Sequence, residues 1–186
     1  MFIVLEGIDG CGKTTHAKLL HDFLRSKKKD VLLTAEPTQN EIGVFIRKIL
    51  SGLHSVDPKT LALLFTADRY EHLTNEIEPA LKNNKLVISE RYYHSTIAYQ
   101  QAQGVSRRWL INLNRYARKP DVTIVIDVDP VVSAGRTETD EIFETPDFLM
   151  KVRDNYLAFD DITVVDGNGS IEDTLEDIKS EVLRLL

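Results

Sequence analysis

Five short apolar runs punctuate the chain: Phe2 to Leu5, Val31 to Ala35, Leu86 to Ser89, Val122 to Asp127 and Ile162 to Val165. All are nearly continuous rather than alternating, the pattern of strands buried on both faces of a parallel sheet. Helix-period stretches lie between them. His16 to Leu24 sets Ala17, Leu20, Phe23 and Leu24 on one stripe, and Ile42 to Leu50 does the same with Ile42, Phe45, Ile46 and Ile49. Pro58 to Leu81 reads as a long helix capped by Asp57, with Pro79 kinking or breaking it near Glu78. Ile171 to Leu186 closes the chain behind Ser170 and Asp173, which are spaced as a capping box. Strands alternating with helices imply βαβ crossovers. The predicted fold is α/β, a three-layer sandwich around a five-stranded parallel sheet, with one domain over residues 1–186.

Composition narrows the picture. The chain has 186 residues, 42% hydrophobic and 28% charged, which is ordinary globular usage. The longest apolar run, Val122 to Val128, is interrupted by Asp127 and falls far short of the ~20 residues of a membrane span. The opening residues lack the basic start and cleavage site of a secretory leader. Cys11, the only cysteine, has no internal disulfide partner, so a reducing cytoplasm is expected. A net charge of −6 argues against broad nucleic-acid binding. A small phosphate ligand needs only a few local cations. The basic cluster from Arg25 to Lys29 falls where a helix should end and complements its dipole.

Directly after the first run comes Gly7-Ile8-Asp9-Gly10-Cys11-Gly12-Lys13-Thr14-Thr15, a full match to GxxxxGK[ST] at a strand-to-helix junction. The glycines let successive N–H groups converge on phosphate oxygens, and the helix start adds its positive end. Lys13 brings a full charge to the β- and γ-phosphates, while the Thr14 hydroxyl suits Mg²⁺. Gly7 to Thr15 are therefore the expected ATP contacts, with Cys11 a small residue that fits. Phe65 and Arg69, four apart, share one helix face. There the ring can stack on a base and the guanidinium can donate to a carbonyl on the base edge. The same pair also reads as a core phenylalanine beside an arginine paired with Asp68 or Glu71. Arg91 follows a buried strand, at the end that lines the ligand crevice of an open α/β sheet, and its fork suits phosphate.

Three segments taken together resemble the thymidylate kinase family: Glu6 to Thr15, Leu63 to Arg69, and Glu90-Arg91-Tyr92-Tyr93-His94-Ser95-Thr96-Ile97-Ala98-Tyr99-Gln100. The resemblance spans the chain in order and implies a P-loop nucleoside-monophosphate-kinase fold that phosphorylates dTMP with ATP and Mg²⁺. It implies that Phe65 and Arg69 read thymine and that Arg91 holds the acceptor phosphate. Ser95, Tyr99 and Gln100 would line the thymidine pocket, and Asp9 would accept from the sugar 3′-hydroxyl. Glu90 stands where the family usually has Asp, and it would hold Mg²⁺ through water together with Thr14. The catalytic set implied is Lys13, Asp9, Arg91 and Arg136. Arg136 lies in a lid around residues 133–145, where it either stabilises the transferring phosphoryl or stacks on adenine. Arg153 is the other candidate. The loop from Asp166 to Ser170 would border adenine, and Glu36-Pro37-Thr38 with Arg47 on the next helix resembles the family's acceptor-side loop, Arg47 either contacting phosphate or making a structural pair. A homodimer is expected from the family. A kinase for another nucleotide or nucleoside, and a non-catalytic P-loop module, are the rival readings. A guanine switch is disfavoured because no NKxD-type tetrapeptide occurs.

Overall fold

The computed structural model describes residues 1–135 and 145–186. Five strands form one parallel sheet: β1 (Phe2–Glu6), β2 (Val31–Ala35), β3 (Leu86–Glu90), β4 (Val122–Asp127) and β5 (Thr163–Asp166), in the order β2-β3-β1-β4-β5. The first run is the central strand, and every one of its residues is buried. Continuous burial on both faces does not extend to the two edges. In β2 and β5 the pattern is broken, with Leu33 and Val164 exposed. An outermost strand has one neighbour and incomplete helix cover, and an apolar run does not reveal which strands lie at the edge.

Helices α1 (Lys13–Ser26), α2 (Glu41–Leu50) and α3 (Pro58–His72) follow the predicted periods, and Asp57 accepts from the Lys59 N–H at 2.8 Å as α3's cap. Phe45 departs from its stripe; it is exposed and packs near His54. The long helix predicted to Leu81 runs on without a break but widens after His72, and it returns to α-helix at Glu78, beside Pro79, where the irregularity is expected. A π-helical turn, Leu73–Ile77, leads into the short α4 (Glu78–Lys82). The widened turn precedes a residue that has no N–H to give and whose ring crowds the preceding turn.

α5 (Tyr93–Ala102) leads into α6 (Arg107–Leu113), and α7 (Pro130–Ala134) follows β4. α8 (Pro146–Leu157) and α9 (Ile171–Leu183) complete the described helices. α6 and α8 had no predicted counterpart. For α8 the signals were present: Thr145 caps it ahead of Pro146, and Leu149, Val152 and Tyr156 are buried along one stripe. At α9 the capping box is half made. Ser170 Oγ accepts from the Asp173 N–H at 3.1 Å, but the Asp173 carboxylate accepts from the Ser170 hydroxyl at 2.7 Å instead of from the Ser170 N–H. Aspartate is one methylene too short to reach back as glutamate does.

Candidate active site

The turn between β1 and α1 is built by backbone freedom. Gly10 sits at φ +77, and a Cβ there would lie 2.3 Å from the Ser133 carbonyl oxygen, so no other residue fits. Lys13 is 4% exposed and folds back over the turn, donating to Gly7 O at 3.1 Å and Ile8 O at 2.8 Å. The ammonium is thus held inside the cradle, against carbonyls that it can exchange for phosphate oxygens. The Thr14 hydroxyl donates to Glu90 Oε1 at 2.8 Å, which joins the start of α1 to the end of β3. A hard divalent cation takes oxygen ligands and keeps several waters. A hydroxyl beside a carboxylate at the mouth of a phosphate cradle fits that demand, and glutamate reaches the position without difficulty.

Beside the cradle lies a second cavity lined by Asp9, Phe65, Arg69, Arg91, Ser95, Tyr99 and Gln100, every acceptor-side residue singled out above. Glu36, Pro37, Leu50, Tyr92 and Thr96 complete it. Arg91 adopts φ +67 at the end of β3, its N–H donating to Leu5 O at 2.9 Å. This conformation swings its guanidinium onto the Asp9 carboxylate, with Ser95 Oγ at 3.0 Å and the Tyr99 ring below it. Tyr99 Oη donates to the other Asp9 oxygen at 2.7 Å and accepts from the Asp9 N–H at 3.0 Å.

Burial alone would raise the Asp9 carboxyl. Arg91, Lys13 and the Tyr99 hydroxyl outweigh it and hold Asp9 below the ordinary carboxylate value of 3.8. Burial drives the Tyr99 hydroxyl well up, reinforced by Asp9, so it remains a neutral donor. Because the Asp9 value is depressed on folding, its stabilisation is complete above the unfolded-state value and vanishes as pH falls through the folded one. Asp9→Asn is therefore expected to flatten the acid limb of stability below about pH 4. Acid titrations followed by circular dichroism check this, and an unchanged limb would contradict the pairing.

Ser95 lines the cavity, but its hydroxyl serves the scaffold: it donates to Glu6 Oε2 at 2.6 Å and lies 2.8 Å from Tyr156 Oη. Glu6 is fully buried. It accepts from the Tyr92 N–H at 2.8 Å, the Ser95 N–H at 3.2 Å and Tyr156 Oη at 2.9 Å. This carboxylate, which sequence reading passed over, ties the strand feeding the cradle to the start of α5 and to α8. Its signal was a lone charge at the end of the most apolar strand, where burial demands partners.

Arg69 is buried and paired, though not with Asp68 or Glu71. Its Nη2 lies 2.7 Å from Glu36 Oε2 and donates to Thr96 Oγ1, while Nη1 donates to Asn114 Oδ1. Asp68 turns to Thr38, accepting from its N–H at 2.7 Å and from its hydroxyl at 2.5 Å. Arg47 donates to the Pro37 and Thr38 carbonyls and lines the cradle cavity. Arg153 is held in a two-point pair with Asp127, at 2.5 and 2.7 Å. Arg136 and residues 136–144 of the expected lid lie outside the described residues. Gly167, Gly169 and Ser170, from the loop after β5, border the cradle cavity.

A parallel sheet whose central strand feeds a phosphate cradle, with a largely apolar pocket carrying a few polar groups alongside, defines a P-loop phosphotransferase of the nucleoside monophosphate kinase type. The family model described as Thymidylate kinase matches residues 5–178. A probable thymidylate kinase of Methanocaldococcus jannaschii is 44% identical, covering 100% of this chain and 95% of its own length. Relatives with the same description from Pyrococcus horikoshii and Pyrobaculum aerophilum are 44% and 41% identical, covering 99% and 100% of this chain and 98% and 97% of theirs. The chain belongs to the thymidylate kinase family.

Proposed function

We propose that the chain transfers the γ-phosphoryl of ATP to dTMP, yielding ADP and dTDP, with Mg²⁺ bound between the cradle and Glu90. One observation carries the acceptor side of this reading. Arg69 Nε, Tyr92 Oη and Gln100 Oε1 are buried polar atoms without a hydrogen-bond partner, and all three residues line the pocket beside the cradle. Unpaired buried donors and acceptors are costly and call for a ligand. A guanidinium donor and an amide acceptor complement a pyrimidine edge that offers a carbonyl and a ring N–H. Phe65 supplies a ring to stack on the base, while Pro37 and Leu50 give an apolar wall for a methyl group.

The acceptor phosphate lies toward Arg91, which bridges the pocket and the cradle. Lys13 and the turn amides hold the donor phosphates. Thr14 and, through water, Glu90 would hold Mg²⁺, which would supply charge neutralisation at the donor phosphates. No general base is needed, because the second pKa of a phosphate monoester is about 6 and the attacking oxygen is already ionised near neutral pH. Catalysis then consists of alignment and charge stabilisation. In support of a homodimer, Val44 and Phe45 on α2 and Leu63 on α3 are exposed apolar residues. We place the protein in the cytoplasm on the strength of its single cysteine, and without nucleic-acid partners on the strength of its net charge of −6. Among the described residues, no helix is long and apolar enough to cross a membrane.

The test is ADP release with ATP and a panel of dTMP, dUMP, dCMP and dGMP, with and without EDTA. Fastest turnover with dTMP, abolished by chelation, is expected. Faster turnover of another monophosphate, or ADP release indifferent to acceptor, would overturn the assignment.

A further inference from the structure

Behind the base pocket runs a chain of buried polar groups that the phosphoryl transfer itself does not use. Glu36 Oε2 lies 2.7 Å from Arg69 Nη2 as an ion pair without hydrogen-bond geometry, while its other oxygen is hydrogen-bonded to His72 Nδ1 at 3.2 Å. None of these three side chains is more than 2% exposed. The far side of the imidazole, Nε2, lies 2.7 Å from Thr34 Oγ1 and 3.4 Å from Glu76 Oε2. Thr34 in turn donates to Glu76 at 3.0 Å. A carboxylate only accepts, so Nδ1 carries the proton that faces Glu36. His72 is the last residue of α3, and the π-helical turn after it carries Glu76. A continuous path thus leads from a 45%-exposed carboxylate through His72 and Glu36 to the guanidinium in the pocket.

Arginine donates and never accepts. It therefore favours a ring carbonyl over a ring amino group, and most strongly while its plane, held also by Thr96 and Asn114, is fixed against the ligand. Glu36 is the charged partner of that guanidinium, and Glu36 can hold one orientation only if its second oxygen is also anchored. We propose that His72 is a positioning residue for acceptor choice: by anchoring Glu36 it fixes Arg69, so that a pyrimidine with a carbonyl at ring position 4 is selected over one with an amino group. This rests on the reading of Arg69 as the base-contacting residue.

The two ring nitrogens can be separated by substitution. His72→Asn keeps an amide donor near the Nδ1 position, facing Glu36. His72→Gln moves the donor toward Thr34 and Glu76 and leaves Glu36 unanchored. Both are polar and of similar bulk, so a general loosening of the fold would affect them alike. The readout is kcat/KM for dTMP divided by kcat/KM for dCMP. His72→Gln is expected to lower this ratio about tenfold, equivalent to about 1.4 kcal/mol. The loss should appear in KM for dTMP, with kcat within about twofold. His72→Asn should keep the ratio within about twofold of the parent. Equal losses in both variants, or an unchanged ratio in His72→Gln, would overturn the proposal. Should His72→Gln fail to fold, Glu76→Gln at the exposed end tests the same path. There a fall of about threefold in the ratio is expected, and no change would overturn it. Arg69→Lys separates the two readings. An unchanged ratio in that variant removes Arg69 from base recognition, whereas a collapsed ratio beside an unaffected His72→Gln removes only the relay.

Discussion

Replacing Lys13 with alanine is expected to lower turnover at least about a thousandfold while leaving the fold intact. The ammonium is buried within the turn, and its contacts to Gly7 O and Ile8 O come from a segment whose shape is set by glycine backbone geometry rather than by the lysine. Removing it leaves two carbonyls facing an open cavity, where water can take up their lone pairs, so the stability cost is small. The catalytic cost is large because charge building up on the donor phosphates loses a fixed positive partner in a pre-formed site. Coupled measurement of ADP release beside a thermal melt decides the matter. Turnover near the parent value would remove the cradle from the chemistry, and a collapsed melt would make Lys13 a structural residue.

The second large effect concerns stability. Arg69→Ala is expected to destabilise the fold by about 3–5 kcal/mol, because it takes from the buried Glu36 carboxylate its guanidinium partner, leaving only His72 beside it and a new cavity. The pair is 1% and 2% exposed, so solvent cannot make up the loss. Removing both partners should hurt less than the single changes would suggest. The double variant Arg69→Met with Glu36→Gln is expected to recover at least about 1.5 kcal/mol relative to Arg69→Ala, since no charge is left stranded. Urea unfolding of the three proteins measures this. A loss below about 1 kcal/mol for Arg69→Ala would mean that the pair is wet in solution.

Local signals carried most of the architecture. The five strands appear where apolar runs stand in the sequence, and the phosphate cradle follows the first of them because its motif is contiguous. The pocket was legible where its residues share a helix face, as Phe65 and Arg69 do. What escaped were the groups whose meaning depends on distant partners. Glu6 meets Tyr156 across 150 positions, and Glu36 meets Arg69 and His72 from the far end of another crossover. No periodicity encodes such meetings. They follow from the physics of burial, which requires that a carboxylate inside an apolar strand find donors somewhere. The edges of the sheet escaped for a related reason, since strand order is a property of the assembled layers.

That strand order has a directional consequence. Loops leaving β5 border one end of the long cavity, the cradle rises from β1 in the middle, and the acceptor-side groups leave β3 and β2 at the other end. Neighbouring strands stand about 4.8 Å apart, so the cradle and the β2 loop are separated by roughly 10 Å across the top of the sheet. On the function proposed above, two nucleotides laid over these loops would lie crosswise to the strands, and the phosphoryl group would travel sideways along the sheet's carboxyl rim, away from β5 and toward β2. The weave of the backbone thereby acts as a graduated rail, with each strand end marking one stop along the route of a migrating charge.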